Sequence, residues 1–221
     1  MITGKCKALA ASLLVLLATG CATKQQKPYD YAEFKAARPA SILVLPPVNN
    51  SSEVIAPYGM LAQATEPLAE SGYYVVPVSL AAETFKQNGM SNPADIHDLP
   101  VPKLREIFGA DAALYMKISS YGTSYQVVQS ETLVAADAKL VDLRSGKVLW
   151  EGSARASSLE QQQQNSNGLI GMLVSAVVNQ IVSTTSDASY KMAGITSYRL
   201  LRAGNHNGLL YGPRSPYYQK N

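Results

Sequence analysis

The segment Asp95-Ile96-His97-Asp98 places one of the chain's two histidines among carboxylates. Imidazole beside carboxylate is raw material for a metal site or for general acid–base chemistry. A metal site, however, needs three or four converging ligands with outer partners to orient them. The only other imidazole, His206, sits in the irregular stretch Gly204-Asn205-His206-Asn207-Gly208. Helix capping and solvation in a polar loop explain Asp95 and Asp98 equally well. Nucleophilic chemistry has little more to build on. Serines are numerous, but no G-x-S-x-G elbow occurs. Ser79, Ser91 and Ser119 lack a neighbouring base in sequence, so a triad would have to recruit His97 or His206. Neither a G-x-G-x-x-G nor a G-x-x-x-x-G-K-[ST] phosphate loop is present. The expectation is therefore no catalytic residue, no metal, no cofactor and no enzyme. A hydrolase using His97 is the alternative.

The residue with a definite chemistry is Cys21. It ends the run Leu17-Ala18-Thr19-Gly20-Cys21, which follows Lys5, Lys7 and an apolar stretch over residues 8–18. That stretch is too short for a membrane span, which needs about 20 residues. Its length and charge fit a cleaved export signal. The run resembles the lipobox of bacterial lipoproteins, with Ala18 where leucine is commonest and Gly20 just before the cut. The resemblance implies cleavage before Cys21, a thioether to diacylglycerol on its sulfur, and acylation of the freed amine. Several acyl chains make a stable anchor, because each buried methylene contributes about 0.8 kcal/mol and one chain is marginal. Ala22 follows the cysteine in place of an inner-membrane-retaining aspartate. That implies the outer membrane, periplasmic face.

Removing residues 1–20 from 221 leaves 201, enough for one domain with tails. Lys5 and Lys7 leave with the signal, so 19 basic groups become 17 against 16 acidic ones, a net charge of +1. Such a balance excludes a global basic field for nucleic acid. Cys6 is lost and Cys21 capped, leaving no free thiol and no disulfide. The expected organisation is signal 1–20, lipidated tether 21–38, one periplasmic α/β domain 39–204 and an irregular tail 205–221.

The elements read as follows. The compact apolar run Ser41-Ile-Leu-Val-Leu45, closed by Pro46-Pro47, predicts a strand buried on both faces. A helix is expected over residues 57–71, with Pro67 kinking or splitting it and Gly72 at its C-terminal end. Residues 73–79 predict a second strand, which Pro77 places near an edge. Short helices are expected over 81–87 and from Pro102 to Gly109. Then period-two alternation predicts a meander: Leu114, Met116 and Ile118; Val134, Ala136, Ala138 and Leu140; Val148, Trp150 and Ala154. Gly146 marks a hairpin turn. Two C-terminal helices follow, one almost wholly apolar over 169–182, one over 188–201. The fold class is α/β (α+β): a mixed sheet of about five strands, β-α-β-α-β-β-β, with helices packed on it.

This order, with Phe108-Gly-Ala-Asp-Ala-Ala-Leu114 entering the meander, resembles the periplasmic domain of curli-secretion accessory lipoproteins and the TolB amino-terminal domain. "ILVLPP", "PLAESGYYVVPV", "ETFKQNGMSNPADIH", "KLREIFGADAALY" and "GLLYGPRSPYY" resemble more specifically a family of bacterial outer-membrane lipoproteins of unknown function, of the meningococcal surface-antigen type. The resemblance implies an anchored domain that dimerises and serves export or transport machinery, with no catalytic residues. The expected function is a non-catalytic binding or assembly accessory of an envelope secretion or transport system. A small-ligand-binding auxiliary of a transporter is a further alternative. Expected partners are the membrane through Cys21, and a second copy or an envelope protein of the curli-secretion or transporter type. The candidate interface is Leu169, Ile170, Leu173, Val177 and Ile181 on the apolar helix, with Tyr211, Arg214 and Tyr217 in the tail, since Tyr and Arg are favoured at hot spots.

Overall fold

The computed structural model describes residues 28–125, 130–160 and 185–218. Its first element is a surprise. Residues expected to be tether form a helix, α1 (Ala32–Ala37), closed by Arg38 in the left-handed region at φ 47°. Phe34 is 3% exposed and lies in the same core cluster as the central strands. Tyr29 and Tyr31 pack around it, with Tyr31 and Phe34 edge to face at 6.4 Å. Three aromatic residues among polar ones outweigh the hydrophilic composition of this stretch, because each has a large apolar body to bury.

The sheet is mixed and open. β1 (Ser41–Val44) runs parallel to both β3 (Tyr74–Val75) and β4 (Ala112–Tyr125). β2 (Val48–Asn49) pairs with β4 further along, at Lys117 and Ile118. Pro46 and Pro47 separate β1 from β2, since proline has no N–H to give a ladder. β4, β5 (Ser130–Asp142) and β6 (Val148–Ser157) form the antiparallel meander. The main order is β3-β1-β4-β5-β6, so β3 is an edge, as Pro77 indicated. A bulge between Ile118 and Ser120 shifts the β4 register by one residue. Alternation therefore changes parity: Ile118 and then Tyr121, not Ser120, face the core.

Helices cover the two faces unequally. On one face lie α2 (Ala56–Glu70) and α6 (Thr185–Leu201). They bury Met60, Ala64, Leu68, Met192, Ala193 and Leu200 against Leu114, Met116, Ala136 and Leu140. Each large side chain fully buried this way contributes about 1.5–3 kcal/mol. On the other face lie α3 (Val78–Gln87), α4 (Pro93–His97) and α5 (Val101–Phe108). Phe85, Ile96 and Leu104 pack there on Leu43, Leu45, Ala113 and Tyr115, over the β1–β4 side of the sheet.

α2 runs as one helix through Pro67, so the split that the proline could have caused does not occur. The proline forfeits the bond to the Gln63 carbonyl, but it falls in the last turn with little helix beyond it to redirect, and Ser71 closes that turn by donating both its N–H and its hydroxyl to the Pro67 carbonyl. The first of the two expected C-terminal helices, over 169–182, lies outside the described residues, as do Cys21 and the signal. No helix among the described residues is long and apolar enough to cross a membrane.

The tail is a strap. Gly212 N–H donates to the Ser71 carbonyl and Arg214 N–H to that of Gly72. Leu209 is buried in the main cluster, and the Tyr73 hydroxyl donates to the Leu210 carbonyl at 2.6 Å. Where β1 and β4 begin, Asp111 forms a clasp. Its Oδ2 accepts from Ala40 N–H, Ser41 N–H and Ser41 Oγ, its Oδ1 pairs with Arg144, and its own N–H donates to Ser41 Oγ.

Candidate functional site

Among the described residues, α3, α4 and α5 cover only the β1–β4 side of their face and nothing covers the β4–β6 side. An open groove of about 720 Å³ lies there. Its floor consists of the polar positions of the meander. Lys117 stands opposite Asp137, which stands opposite Ser153; Tyr115 stands opposite Lys139, which stands opposite Glu151. Directly opposed side chains in an antiparallel pair have Cβ atoms about 5 Å apart, so each row sets opposite charges beside one another. Lys139 Nζ also lies 5.1 Å from the Tyr115 ring centre.

The groove wall carries His97. Asn92 caps α4, its side-chain oxygen accepting from Ala94 N–H at 3.1 Å, and Pro93 fits the first turn. Ile96 enters the core, which turns His97 toward the sheet. Its Nε2–H donates to the Pro46 carbonyl at 2.9 Å and its ring stands edge-on to Tyr115 at 5.2 Å. Burial pushes its pKa below the ordinary value; the Pro46 bond opposes this and Lys139 adds to it. His97 is thus a half-buried neutral imidazole held by a main-chain oxygen. Asp98 also lines the groove, whereas Asp95 is exposed.

The expected chemistry is dispersed. Ser153 lines the groove but belongs to β6, two strands and about 10 Å from β4, where His97 packs. Ser79 and Ser91 are exposed, and Ser119 Oγ donates to the Ala135 carbonyl. His206 lines a separate recess of about 450 Å³ with Tyr29, Trp150 and Arg199. Among the described residues, no three of His, Cys, Asp or Glu are placed to hold a metal ion. The charged rows Lys117–Asp137 and Lys139–Glu151 were readable only as the polar half of the alternation.

Of the candidate interface residues, Leu169, Ile170, Leu173, Val177 and Ile181 lie outside the described residues. The tail residues gather near β3. The Arg214 guanidinium lies 5.4 Å from the Tyr74 ring centre, and the Tyr211 and Tyr217 rings are 5.4 Å apart. Tyr74 and Tyr217 remain 46% and 49% exposed.

A family model described as "Putative lipoprotein GNA1162-like" matches residues 29–214. The chain is 50% identical over 201 residues to the "Putative lipoprotein NMB1124/NMB1162" of Neisseria meningitidis serogroup B, covering 90% of this chain and 92% of that one. It is similar to the crystal structure of lipoprotein GNA1162 from Neisseria meningitidis, with 56% identity and a TM-score of 0.51 over 66% of this chain and 100% of that one. The matched span takes in the α1 aromatic residues, the whole sheet and most of the strap, so the chain belongs to the GNA1162-like lipoprotein family.

Proposed function

We propose that this chain is a non-catalytic binding and assembly accessory of an envelope secretion or transport system. Acylated Cys21 holds it at the periplasmic face of the outer membrane. Residues 1–20 are the discarded signal, and the tether is the stretch from Cys21 to the first anchored residue, Tyr29. The single observation that carries the reading is the groove floor. Lys117, Asp137, Lys139 and Glu151 stand on rigid antiparallel strands in rows of alternating charge. Fixed, complementary charges select and orient a polar partner surface, and a tethered domain meets such a partner at raised effective concentration. A second surface, Tyr211, Arg214, Tyr217 and Tyr74, supports self-association, since exposed tyrosines stacked with arginine are typical anchors of protein interfaces.

The test is site-specific photo-cross-linking of the full chain in envelope membranes. Probes at Lys117 and Lys139 are expected to trap a defined envelope protein, while a probe at Lys86 on the outer side of α3 traps none. Equal trapping at all three sites, or none at the groove, rejects the groove as a partner surface. Labelled palmitate should enter wild type and not Cys21→Ala; equal labelling rejects the anchor.

A further inference from the structure

We propose that the outer face of α6 lies on the headgroups of an anionic phospholipid bilayer, an inference that rests on the acylated-Cys21 reading. Two independent observations carry it. The first is where the tether starts. Tyr29 N–H donates to Asn207 Oδ1 and the Tyr31 hydroxyl to the Gly208 carbonyl. Both acceptors lie in the loop that follows α6. Tyr29, Arg199, Asn205 and Asn207 line one recess, and Asn205 Nδ2 donates to the Arg199 carbonyl. The chain therefore leaves the domain beside the last turns of α6. Tyr29 is eight residue steps on from Cys21, a reach of at most about 28 Å. α6 itself is about 25 Å long. An acylated Cys21 thus keeps the C-terminal end of this helix within about 28 Å of the bilayer.

The second observation is charge. The balance of the chain after residue 20 is near neutral, yet from Ala188 to Asn221 there is no Asp or Glu against five Lys and Arg. Two of the five, Lys191 and Arg199, lie on α6, Arg202 directly follows its last residue, and the one acid of the helix, Asp187, is in its first turn. Lys191, Tyr198 and Arg202 are exposed and recur at helical spacing on the side opposite Ala193, Thr196 and Leu200, which are buried; Ile195 between them is partly buried against the core. Tyr198 is 42% exposed, and the Arg202 guanidinium lies 4.9 Å from its ring centre. Among the described residues the one ion pair on this helix is Arg199 with Glu160. Exposed Lys and Arg around an exposed Tyr is a composition that sits at a lipid–water interface. Each cation near an anionic surface is worth about fivefold in partition. That is weak for a free protein and sufficient for one already tethered. With α6 against the bilayer, the groove on the opposite sheet face points away from it, toward the periplasm.

The test uses full-length acylated chain in vesicles of phosphatidylethanolamine and phosphatidylglycerol carrying a doxyl-labelled lipid. With Cys21 capped, Tyr198→Cys and Lys86→Cys each offer one thiol for a fluorophore. The probe at 198 is expected to be quenched several-fold more than the probe at 86. The difference should shrink at raised salt, in phosphatidylcholine vesicles, and in the Lys191→Glu/Arg202→Glu double variant. A chain that floats with the vesicles but shows equal quenching at 198 and 86 overturns this proposal and leaves the anchor standing. A chain that does not float overturns the anchor reading and this one with it. Shielding of the 198 probe only when envelope proteins are present assigns the face to a protein and overturns the lipid assignment.

Discussion

The main-chain N–H of Tyr29 donates to the side-chain oxygen of Asn207 at 3.0 Å, joining residues 178 apart in the chain. Asn207 holds φ at 55°, a left-handed conformation that asparagine tolerates better than other side-chain-bearing residues. Its carbonyl accepts from Trp150 Nε1 at 2.9 Å, so one loop residue fixes the start of the domain and its most buried aromatic residue together. Asn207→Ala is expected to cost about 2 kcal/mol, from the lost hydrogen bond and the left-handed backbone. Asn207→Gly should cost about 1 kcal/mol, since the backbone penalty disappears. Urea denaturation of the two variants checks the difference. Equal losses would show that the conformation at 207 is unimportant.

Asp111 ties the start of β4 to two other segments, accepting from Ala40 and Ser41 at the start of β1 and from Arg144 in the β5–β6 turn. Burial pushes its carboxyl up, but these donors outweigh burial and hold it below the ordinary carboxylate range. The folded pKa is the lower one, so this stability is present above the unfolded value of about 3.9 and is lost as pH falls through the folded value. Asp111→Asn should cost about 1–2 kcal/mol at neutral pH. It should also flatten the stability–pH curve below pH about 4. An unchanged acid limb in the variant would remove Asp111 from that role.

His97 acts in a different window. Its folded pKa is lowered, chiefly by burial, so the unfolded chain takes up a proton first. Stability is complete above the ordinary histidine value of about 6.5 and declines as pH falls below it. His97→Gln should cost about 1 kcal/mol at pH above 7, through the Pro46 bond. It should also abolish the slope between the ordinary histidine range and the carboxylate range. Thermal denaturation across pH reads both effects; a slope that survives the substitution would point to another group.

Gly72 stands at φ 95° with the tail strap against it. A methyl group there would meet Ser215 Cβ at 2.7 Å and the Gly212 carbonyl at 2.8 Å. Both the backbone conformation and the space oppose it, so Gly72→Ala should cost more than about 2 kcal/mol. The loss should be concentrated in the strap, visible as faster hydrogen exchange at the Gly212 and Arg214 amides. Uniform destabilisation with the strap still protected would argue against this coupling.

Local pattern determined much of this protein. Alternation of apolar residues at Leu114, Met116, Ile118 and at Val134, Ala136, Ala138, Leu140 set which side of the meander is core. Gly109 and Gly146, in the left-handed region, marked the end of α5 and the β5–β6 turn. Pro77 marked the short edge strand. Each of these rests on one residue's own backbone or on period-two geometry, and neither needs a distant partner. What the tertiary structure alone decided is what depends on contacts between remote residues. The bulge at Ser119–Ser120 moved Tyr121 into the core, because the pairing partner counts residues differently from the strand itself. The helix around Phe34 formed because β6, more than a hundred residues on, packs against it and its aromatic ring is buried in the main core. Among the described residues, the groove exists because three helices cover only half a sheet face, leaving Lys117, Asp137, Lys139 and Glu151 along its floor. A helix's reach across a sheet is set by packing area, which no stretch of sequence carries by itself.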